Sequence, residues 1–364
     1  MKKTVINELL DYIQPSKFIV DSEEYSDDYD IPVLTAGDSF ILGYTNENKG
    51  VYEASKEKPI ILFDDFTTSI QLVDFPFKVK SSACKIIIPK NNVDIKYCYY
   101  ALKSLDFDHS QHKRYWISEF SKKTINDYGA DNYRIVKELD KICCLINSKK
   151  SEILSLDELI KSRFIEMFGN LENNSNNYPI KYLNEIAEYW NGLTYKPIDV
   201  TENNEGVLVL RSSNIQNGEL SFEDNVYVSC NIKEKQYVKE NDILMCSRNG
   251  SARLVGKVAI IKGISKPTSF GAFMMIIRSA YYPYLKAYFE TSSFRAQLAT
   301  GTSTINQITG GMLNSIKLPI PDMDTVIKFK DYCELIDKSK FIVQQQIKDL
   351  QELLDKKMDE YFGE

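Results

Sequence analysis

The side chains that could do chemistry in this chain are hydroxyl, amide and basic groups in short polar segments. Guanidinium and ammonium groups can donate paired hydrogen bonds to a guanine edge, and carboxamides can pair with an adenine edge. Hydroxyls and glycine amides suit phosphates. The predicted nucleic-acid contacts are Asp64, Asp65, Thr67, Thr68, Lys85, Lys113, Arg114 and Tyr115 in the first half, and Arg211, Ser213, Asn214, Ser247, Arg248, Asn249, Ser251, Arg253, Ser303, Thr304, Asn306 and Gln307 in the second. One such loop alone would be explained as an ordinary turn, but the matched sets favour recognition.

Motifs for bond-making chemistry are missing from the sequence. There is no cofactor-binding glycine loop followed by an Asn/Asp-Pro-Pro-Tyr/Phe motif, no phosphate-binding G-x-x-x-x-G-K-[ST] loop and no G-x-S-x-G elbow. Asp64 and Asp65 resemble a nuclease acidic pair, but no Glu-x-Lys follows at a suitable distance. His109 and His112 are spaced for a metal, yet no convincing cysteine or acidic partners stand nearby. We therefore predict no catalytic residue, metal site or cofactor on this chain.

A long helix is predicted from residue 131 to residue 170. Its apolar residues recur at steps near three and four, which is typical of a coiled-coil seam. No proline interrupts the stretch, and Gly169 is placed to end it. The apolar seam positions are Ile135, Leu139, Ile142, Ile146, Ile153, Leu156, Ile160, Phe164 and Met167, and Lys149 fills the one gap between them.

The same seam returns at the end of the chain when 194 is added to each number. The second set is Phe329, Cys333, Ile336, Lys340, Val343, Ile347, Leu350, Leu354, Met358 and Tyr361. Only Lys340 is polar, and it matches Ile146. This register predicts a tandem duplication, with helices of about 38 residues and roughly 57 Å. The predicted interface residues are Ile135, Leu139, Ile142, Ile153, Ile160, Phe329, Ile336, Ile347 and Leu354.

The two halves follow one predicted plan: a short helix, a twisted sheet, a helix, a polar loop and the long helix. The predicted boundaries are residues 1–130 and 178–323 for two globular domains, 131–170 and 324–364 for the helices, and 171–177 for an asparagine-rich linker. Short helices are expected at 6–13 and 181–188, and a strand at 75–79. In each half one strand ends in a polar cluster, residues 64–69 and 247–253.

The charge is unevenly distributed, although the net charge is −6. Residues 245–320 hold nine basic residues and one acid, and residues 78–123 hold ten basic residues and four acids. These stretches predict two polyanion-binding surfaces. Seven cysteines without a C-x-x-C motif fit free thiols in the cytoplasm. No apolar run is long enough for a membrane span, and no secretory signal is expected.

The organisation resembles the specificity subunit of a type I restriction-modification system. The resemblance covers essentially the whole chain and depends on the order and duplication of short motifs. They are the ends of the two long helices at 162–169 and 357–363, Asn241-Asp242-Ile243-Leu244, Thr304-Ile305-Asn306-Gln307-Ile308, Leu318-Pro319-Ile320-Pro321, residues 61–68 and residues 81–85.

The resemblance implies an α+β fold. Two similar α/β target recognition domains would stand in tandem, separated by two long helices that pack as an antiparallel coiled coil with pseudo-twofold symmetry. Each domain would read half of a split, asymmetric DNA site, and the helices would fix the gap. Two methyltransferase subunits would carry S-adenosylmethionine and methylate adenine N6, and motor-nuclease subunits would join for cleavage. The chain itself would be non-catalytic.

Three other interpretations stay open. A related two-component (type IIB/IIG-like) restriction-modification enzyme could use the same architecture for its DNA-recognition subunit. A coiled-coil scaffold for protein partners predicts no salt-dependent DNA binding. A nuclease or methyltransferase in its own right predicts activity from the purified chain, which the missing motifs disfavour.

Overall fold

The computed structural model describes residues 2–35, 39–90, 93–105, 114–201, 205–298 and 307–363. The chain divides into two units. Unit 1 comprises Met1–Ser151 and Gln344–Glu364, and unit 2 comprises Glu152–Val343. Each unit therefore contains part of both long helices. The predicted limits of the globular domains and the linker stay a prediction.

Unit 1 is built on a four-stranded antiparallel sheet. Its strands are β1 (Lys2–Val5), β2 (Leu10–Ile13), β3 (Ile31–Leu34), β4 (Ile41–Thr45), β5 (Ile60–Asp64), β6 (Ile70–Val73), β7 (Lys78–Val79), β8 (Cys84–Pro89) and β9 (Thr124–Asp127). Its helices are α1 (Ile6–Leu9), α2 (Ile95–Lys103), α3 (Tyr115–Ser118), the first part of α4 (Asn132–Phe168) and the last part of α8 (Met323–Phe362). The main sheet has the order β2-β8-β5-β6, β1 pairs with β9, and β3 lies between β4 and the parallel strand β7.

Unit 2 also contains a four-stranded antiparallel sheet. Its strands are β10 (Ile180–Tyr182), β11 (Glu188–Asn191), β12 (Val200–Thr201), β13 (Val207–Leu210), β14 (Ile215–Gln216), β15 (Glu219–Leu220), β16 (Tyr227–Val228), β17 (Ile243–Cys246), β18 (Val258–Ile260), β19 (Thr268–Phe270), β20 (Met274–Arg278) and β21 (Lys317–Pro319). Its helices are the last part of α4, α5 (Tyr282–Phe289), α6 (Ser292–Leu298), α7 (Gly310–Asn314) and the first half of α8 (Met323–Phe362). The sheet order is β11-β20-β17-β18.

The strand connectivity of the two units is the same. The order β2-β8-β5-β6 in unit 1 corresponds to β11-β20-β17-β18 in unit 2, and every neighbouring pair is antiparallel. The pair β1-β9 corresponds to β10-β21. The parallel pair β3-β7 corresponds to β13-β19. The repeated plan inferred from the sequence is thus present in the sheets, and the fold is α+β with two similar units in tandem.

The central strands are apolar at consecutive positions because both faces of each sheet are covered. In β5, Ile61 and Phe63 join one apolar core, and Ile60 and Leu62 join another. In β17 the alternate residues divide in the same way between two cores. Each strand is therefore fixed in register, since a shift by one residue would exchange its two faces. The polar loops that directly follow these strands therefore begin at a fixed position in each unit.

The long helices pack antiparallel within each unit. In unit 1, Glu138 near the start of α4 lies 3.1 Å from the ammonium of Lys357 and accepts a 2.7 Å hydrogen bond from the Tyr361 hydroxyl, near the end of α8. In unit 2, the ring of Phe164 lies 5.6 Å from that of Phe329, and Asp157 pairs with Lys340 at 2.8 Å. The two long helices predicted from the sequence are present and paired.

The seam positions are internal packing residues. Ile135, Leu139, Ile142, Phe329 and Ile336 are buried. The other predicted interface positions, Ile153, Ile160, Ile347 and Leu354, are half-buried. In unit 1, Ile135 and Leu139 share a core with Leu354, and in unit 2, Ile160 packs against the core that contains Phe329. The interface role of the full predicted set stays a prediction. Gly169 ends α4 with φ of 72°, and its N–H donates to the Ile165 carbonyl at 2.8 Å.

Three elements differ from the sequence-based expectation. The helices predicted at 6–13 and 181–188 are wrong: only Ile6–Leu9 is helical in the first, and the second holds strand β10 and the single turn Leu183–Glu185. The neighbouring segments extend because β2 and β11 form ladders with β8 and β20, and such tertiary pairing outweighs local helix preference. The strand predicted at 75–79 is only Lys78–Val79, while β6 at Ile70–Val73 was missed.

Candidate nucleic-acid interface

Ser247 anchors the candidate interface of unit 2, directly after β17. Its N–H and its hydroxyl both donate to the Phe273 carbonyl at 2.9 Å. Its own carbonyl accepts from the Ile308 N–H at 2.7 Å. Ser247 is buried, with 2% of its surface exposed. It therefore holds three separate loops together rather than presenting its hydroxyl to a ligand.

Exposed groups from these loops lie next to one another. The Arg248 guanidinium lies over the Phe273 ring at 5.4 Å, and Arg248 forms an isolated β-bridge with Gln307. The Asn249 amide donates to the Ser212 hydroxyl at 3.1 Å, and its oxygen accepts from the Ser251 N–H at 3.0 Å. The structure thus brings together groups that are up to 95 residues apart in sequence, from Ser212 to Gln307.

The 211–214 segment shapes the neighbouring turn. Asn214 is fully buried, and its side chain accepts from the Arg211 N–H at 2.8 Å and donates to the Ser221 carbonyl at 2.9 Å. The Arg211 guanidinium pairs with Asp224 at 2.7 Å. The Ser213 hydroxyl is buried and has no hydrogen-bond partner in the described part of the chain. Asn214 is therefore a positioning residue, and Ser212, which was not predicted, provides the contact to Asn249.

Six of the nine basic residues in the 245–320 stretch show a clear contrast in their partners. Four are held internally: Arg278 pairs with Asp242, Lys262 with Asp337 and Lys286 with Glu290, while Arg295 donates to the Val255 carbonyl. Arg248 and Arg253 are exposed, and within the described ranges neither pairs with a carboxylate. An unpaired guanidinium is free to meet an anion or a base edge, so Arg248 and Arg253 supply the positive charge of this interface. Lys257, Lys266 and Lys317 complete the stretch, and Lys266 and Lys317 are exposed as well.

The candidate interface of unit 1 is the hairpin between β5 and β6. The Asp64 carboxylate accepts from the N–H groups of Phe66 and Thr67, both at 2.8 Å, and so fixes the turn. Thr68 adopts a φ of 59° within this turn. Phe66 stands at the tip with 48% of its surface exposed, and Thr67 is exposed beside it.

Behind this hairpin lies a buried ion pair. Asp65 and Lys85 are 3.1 Å apart with 2% and 1% of their side chains exposed. Asp65 also accepts from the Trp116 N–H at 2.9 Å, and the Lys85 ammonium lies 4.8 Å from the centre of the Tyr12 ring. Tyr115 is buried as well, whereas Arg114 is exposed. Burial gives Asp65, Lys85 and Tyr115 a positioning role, so we propose no DNA contact for them.

Part of the basic stretch of unit 1 is paired inside the unit. Four of its ten basic residues, Lys78, Lys80, Lys85 and Lys96, pair with carboxylates, and Lys90 donates to the Asn7 carbonyl. The expected polyanion surface across residues 78–123 stays a prediction, and these pairs reduce the charge available to it. Arg114, next to the β5–β6 hairpin, is the exposed basic residue that keeps its predicted role as a proposal.

Several predicted residues lie outside the described residues: Lys113, Ser303, Thr304 and Asn306, with His109 and His112. Sequence reasoning missed Phe66 and Phe273, because an aromatic residue beside a strand is more often part of the core. Among the described residues no group of three or more His, Cys, Asp or Glu side chains could hold a metal. No helix in the described ranges is long and apolar enough to cross a membrane.

Comparison with known proteins gives consistent matches. Residues 175–360, just over half of the chain, match the family model of the type I restriction modification DNA specificity domain. The chain is 46% identical over 160 residues to the Escherichia coli type I restriction enzyme EcoR124I/EcoR124II specificity subunit, covering 41% of this chain and 39% of that protein. It is 33% identical over 141 residues to the StySPI specificity subunit of Salmonella potsdam, covering 36% and 30%. The matches thus span less than half of these relatives.

The fold is similar to that of a solved structure across the whole chain. The crystal structure of the type I restriction-modification S subunit from M. genitalium has a TM-score of 0.55 and 15% identity, covering 100% of this chain and 96% of that one. At this identity the likeness concerns the fold alone. The family match begins after α4 and covers most of unit 2, including the candidate interface around Ser247, and most of α8. The chain belongs to the family of type I restriction modification DNA specificity domains.

Proposed function

We propose that this chain is the DNA-reading specificity subunit of a type I restriction-modification complex, and that each unit reads one half of a split, asymmetric site. The observation that carries this proposal is the convergence at Ser247. Loops predicted independently from the sequence meet there and present Arg248, Asn249 and Gln307 on one surface. These are the side-chain types that read base edges in the major groove.

The geometry favours recognition because the reading groups are held in place. The ring of Phe273 lies against the Arg248 guanidinium, which reduces the number of rotamers that binding must freeze. The bond from Asn249 to Ser212 restrains its carboxamide in the same way. In this proposal Arg248 donates two hydrogen bonds to guanine O6 and N7, and Asn249 or Gln307 pairs with an adenine. Arg253 contacts phosphate.

The partners follow from the same proposal. Two methyltransferase subunits would dock on the chain and use S-adenosylmethionine to methylate adenine N6 in each half-site, after swinging the base out of the duplex. Motor-nuclease subunits would add cleavage. This chain would contribute recognition and no catalytic group, so the purified chain alone should neither methylate nor cut DNA.

The direct test is to map adenine methylation genome-wide in cells with and without this gene, beside its partner subunits. The proposal expects a split motif with two different halves that disappears with the gene. A binding assay on the purified chain provides the second readout. Affinity for a duplex with the mapped site should fall steeply as salt rises, because counterions are released on binding. Absence of both the motif and salt-sensitive binding would favour a protein scaffold instead.

The long helices set the gap between the half-sites in this proposal. Inserting one heptad into the middle of α4 should change the permitted gap or abolish methylation, because a heptad preserves the seam while lengthening the helix by about 10 Å. The readout is the mapped motif of the insertion variant. A matched control inserts seven residues into the exposed loop at 265–267, which lies between β18 and β19 and outside the helices. An unchanged motif in the heptad variant would contradict this role of the helices.

A further inference from the structure

The two candidate interfaces are tied to their sheets by the same backbone hydrogen bonds. In unit 2, the Ser247 N–H donates to the Phe273 carbonyl at 2.9 Å, and the Ser247 carbonyl accepts from Ile308 at 2.7 Å. In unit 1, the Asp65 N–H donates to the Ala83 carbonyl at 2.9 Å, and the Asp65 carbonyl accepts from Tyr115 at 3.1 Å. Asp65 and Ser247 therefore occupy the same place in their units.

The strand registers support this equivalence independently. The last residue of β5, Asp64, pairs with the first residue of β8, Cys84. The last residue of β17, Cys246, pairs with the first residue of β20, Met274. The spacing to the next strand is also the same. Tyr115 lies nine positions before Thr124, where β9 begins, and Ile308 lies nine positions before Lys317, where β21 begins.

The equivalence assigns a counterpart to each reading residue of unit 2. Phe66 follows Asp65 as Arg248 follows Ser247, and Arg114 precedes Tyr115 as Gln307 precedes Ile308. Phe66 is exposed although it is aromatic, and its N–H is fixed by Asp64. The position that holds a guanidinium in unit 2 thus holds an apolar ring in unit 1.

We infer that Phe66 is a specificity-determining residue of unit 1 and that it contacts the C5 methyl group of a thymine. This inference rests on the proposed function. A phenyl ring has no donor or acceptor, and the thymine methyl is the apolar feature that the major groove presents. The buried Asp65–Lys85 pair holds the hairpin behind Phe66, so the ring is presented from a fixed base. Unit 1 then reads an apolar edge where unit 2 reads a polar one.

The test uses the assembled complex with its methyltransferase partners and duplexes of the mapped site. The Arg248→Ala variant, which changes unit 2, first identifies the half-sites. The half-site whose sequence preference it leaves intact is assigned to unit 1. Each thymine of that half-site is replaced in turn by deoxyuridine, which removes only the methyl group. At one position we expect binding about fourfold weaker, the value of one buried methyl group. For the Phe66→Ala variant, the ratio of the affinity for the thymine duplex to that for the uracil duplex at that position should fall to about one. The Phe66→Leu variant should keep most of this ratio.

Arg248→Ala is the matched control, and its thymine-to-uracil ratio should stay at about four. Thermal unfolding of each variant checks that the exposed Phe66 is not needed for folding. If uracil has no effect at any position, or if Phe66→Ala keeps the full ratio, the inference is overturned even though the mapped motif still stands. A ring inserted between base pairs would give the first of these results, because insertion does not need the methyl group. Absence of any mapped motif overturns both the inference and the proposed function.

Discussion

Each unit has one acid–base pair with a buried carboxylate across its two central strands, but at opposite ends of them. In unit 1, Asp65 and Lys85 lie at the end of β5 that leads into the candidate interface. In unit 2, Asp242 and Arg278 lie at the other end of the equivalent strands, with two hydrogen bonds of 2.7 Å and Asp242 only 1% exposed. Lys85 in β8 and Met275 in β20 each pair with the next-to-last residue of the neighbouring central strand. Met275 therefore occupies in unit 2 the position that Lys85 occupies in unit 1.

This difference shows which parts of a unit can vary while its backbone stays the same. The backbone frame around Asp65 and Ser247 is the same, while the side chains that stabilise it are an ion pair in one unit and a hydroxyl in the other. The following loops differ in length as well, since β6 begins at Ile70 and β18 at Val258. A fixed sheet can therefore carry different loops, as two different half-sites require.

The largest effect is expected from Lys85→Met, which places the residue of unit 2 in unit 1. The Asp65 carboxylate would stay buried without its partner, and such a loss costs about 3–5 kcal/mol. The double variant Asp65→Ser with Lys85→Met should recover most of that free energy, because it reproduces the arrangement of unit 2. Urea unfolding followed by Trp116 fluorescence, in a Trp190→Phe background, reports unit 1 alone. Equal destabilisation in the single and double variants would contradict the equivalence.

A smaller effect is expected from Asn249→Ala. The change removes the hydrogen bonds to Ser212 and Ser251, each worth about 1 kcal/mol. We expect the half-site of unit 2 to be read with roughly five- to tenfold lower discrimination, and that of unit 1 to be unaffected. Binding to single-base variants of both half-sites measures this. Loss of discrimination at both half-sites would show that the two units do not read their half-sites independently.

The smallest effect is expected at Lys340, the polar exception in the seam. Burial alone would lower the pKa of its ammonium, but hydrogen bonds to Asp157 and Glu219 outweigh it and raise the pKa. The contribution of Lys340 is therefore complete at neutral pH and is lost only as the pH rises through that raised pKa, so the free-energy difference between the wild type and a Lys340 variant should be constant between pH 6 and 9. Lys340→Ile, the residue of unit 1 at this place, should change the unfolding free energy by less than about 1 kcal/mol, because both carboxylates can reach water. A loss of several kcal/mol would show that the pair is needed.

The long helices and the loop positions could be predicted from the sequence. The seam at Ile135 and Phe329 repeats over many turns, and each polar cluster directly follows an apolar run. The burial of Lys85 had one local signal: it stands inside the apolar run Cys84-Lys85-Ile86-Ile87-Ile88 and faces the same side as Ile87. Its partner Asp65 could not be identified, because the pair forms only when β5 and β8 align.

The exposed aromatic residues could not be assigned from the sequence. Phe66 and Phe273 each stand close to the end of an apolar strand, where a core position is the usual outcome. Their exposure depends on the turn that Asp64 makes and on the bonds to the Phe273 carbonyl, which are tertiary features. The equivalence of Phe66 and Arg248 is likewise visible only in the backbone hydrogen bonds and the strand registers, since the surrounding sequences differ.

The most direct test of two independent reading units is a comparison of methylation motifs from cells that carry the wild-type chain, Arg248→Ala or Phe66→Ala beside the partner subunits. Single-molecule sequencing gives both half-sites and the gap in each case. We expect Arg248→Ala to relax one half and Phe66→Ala to relax the other, with the gap unchanged in both. If both variants relaxed the same half, or if either degraded the two halves equally, the assignment of one half-site to each unit would be contradicted.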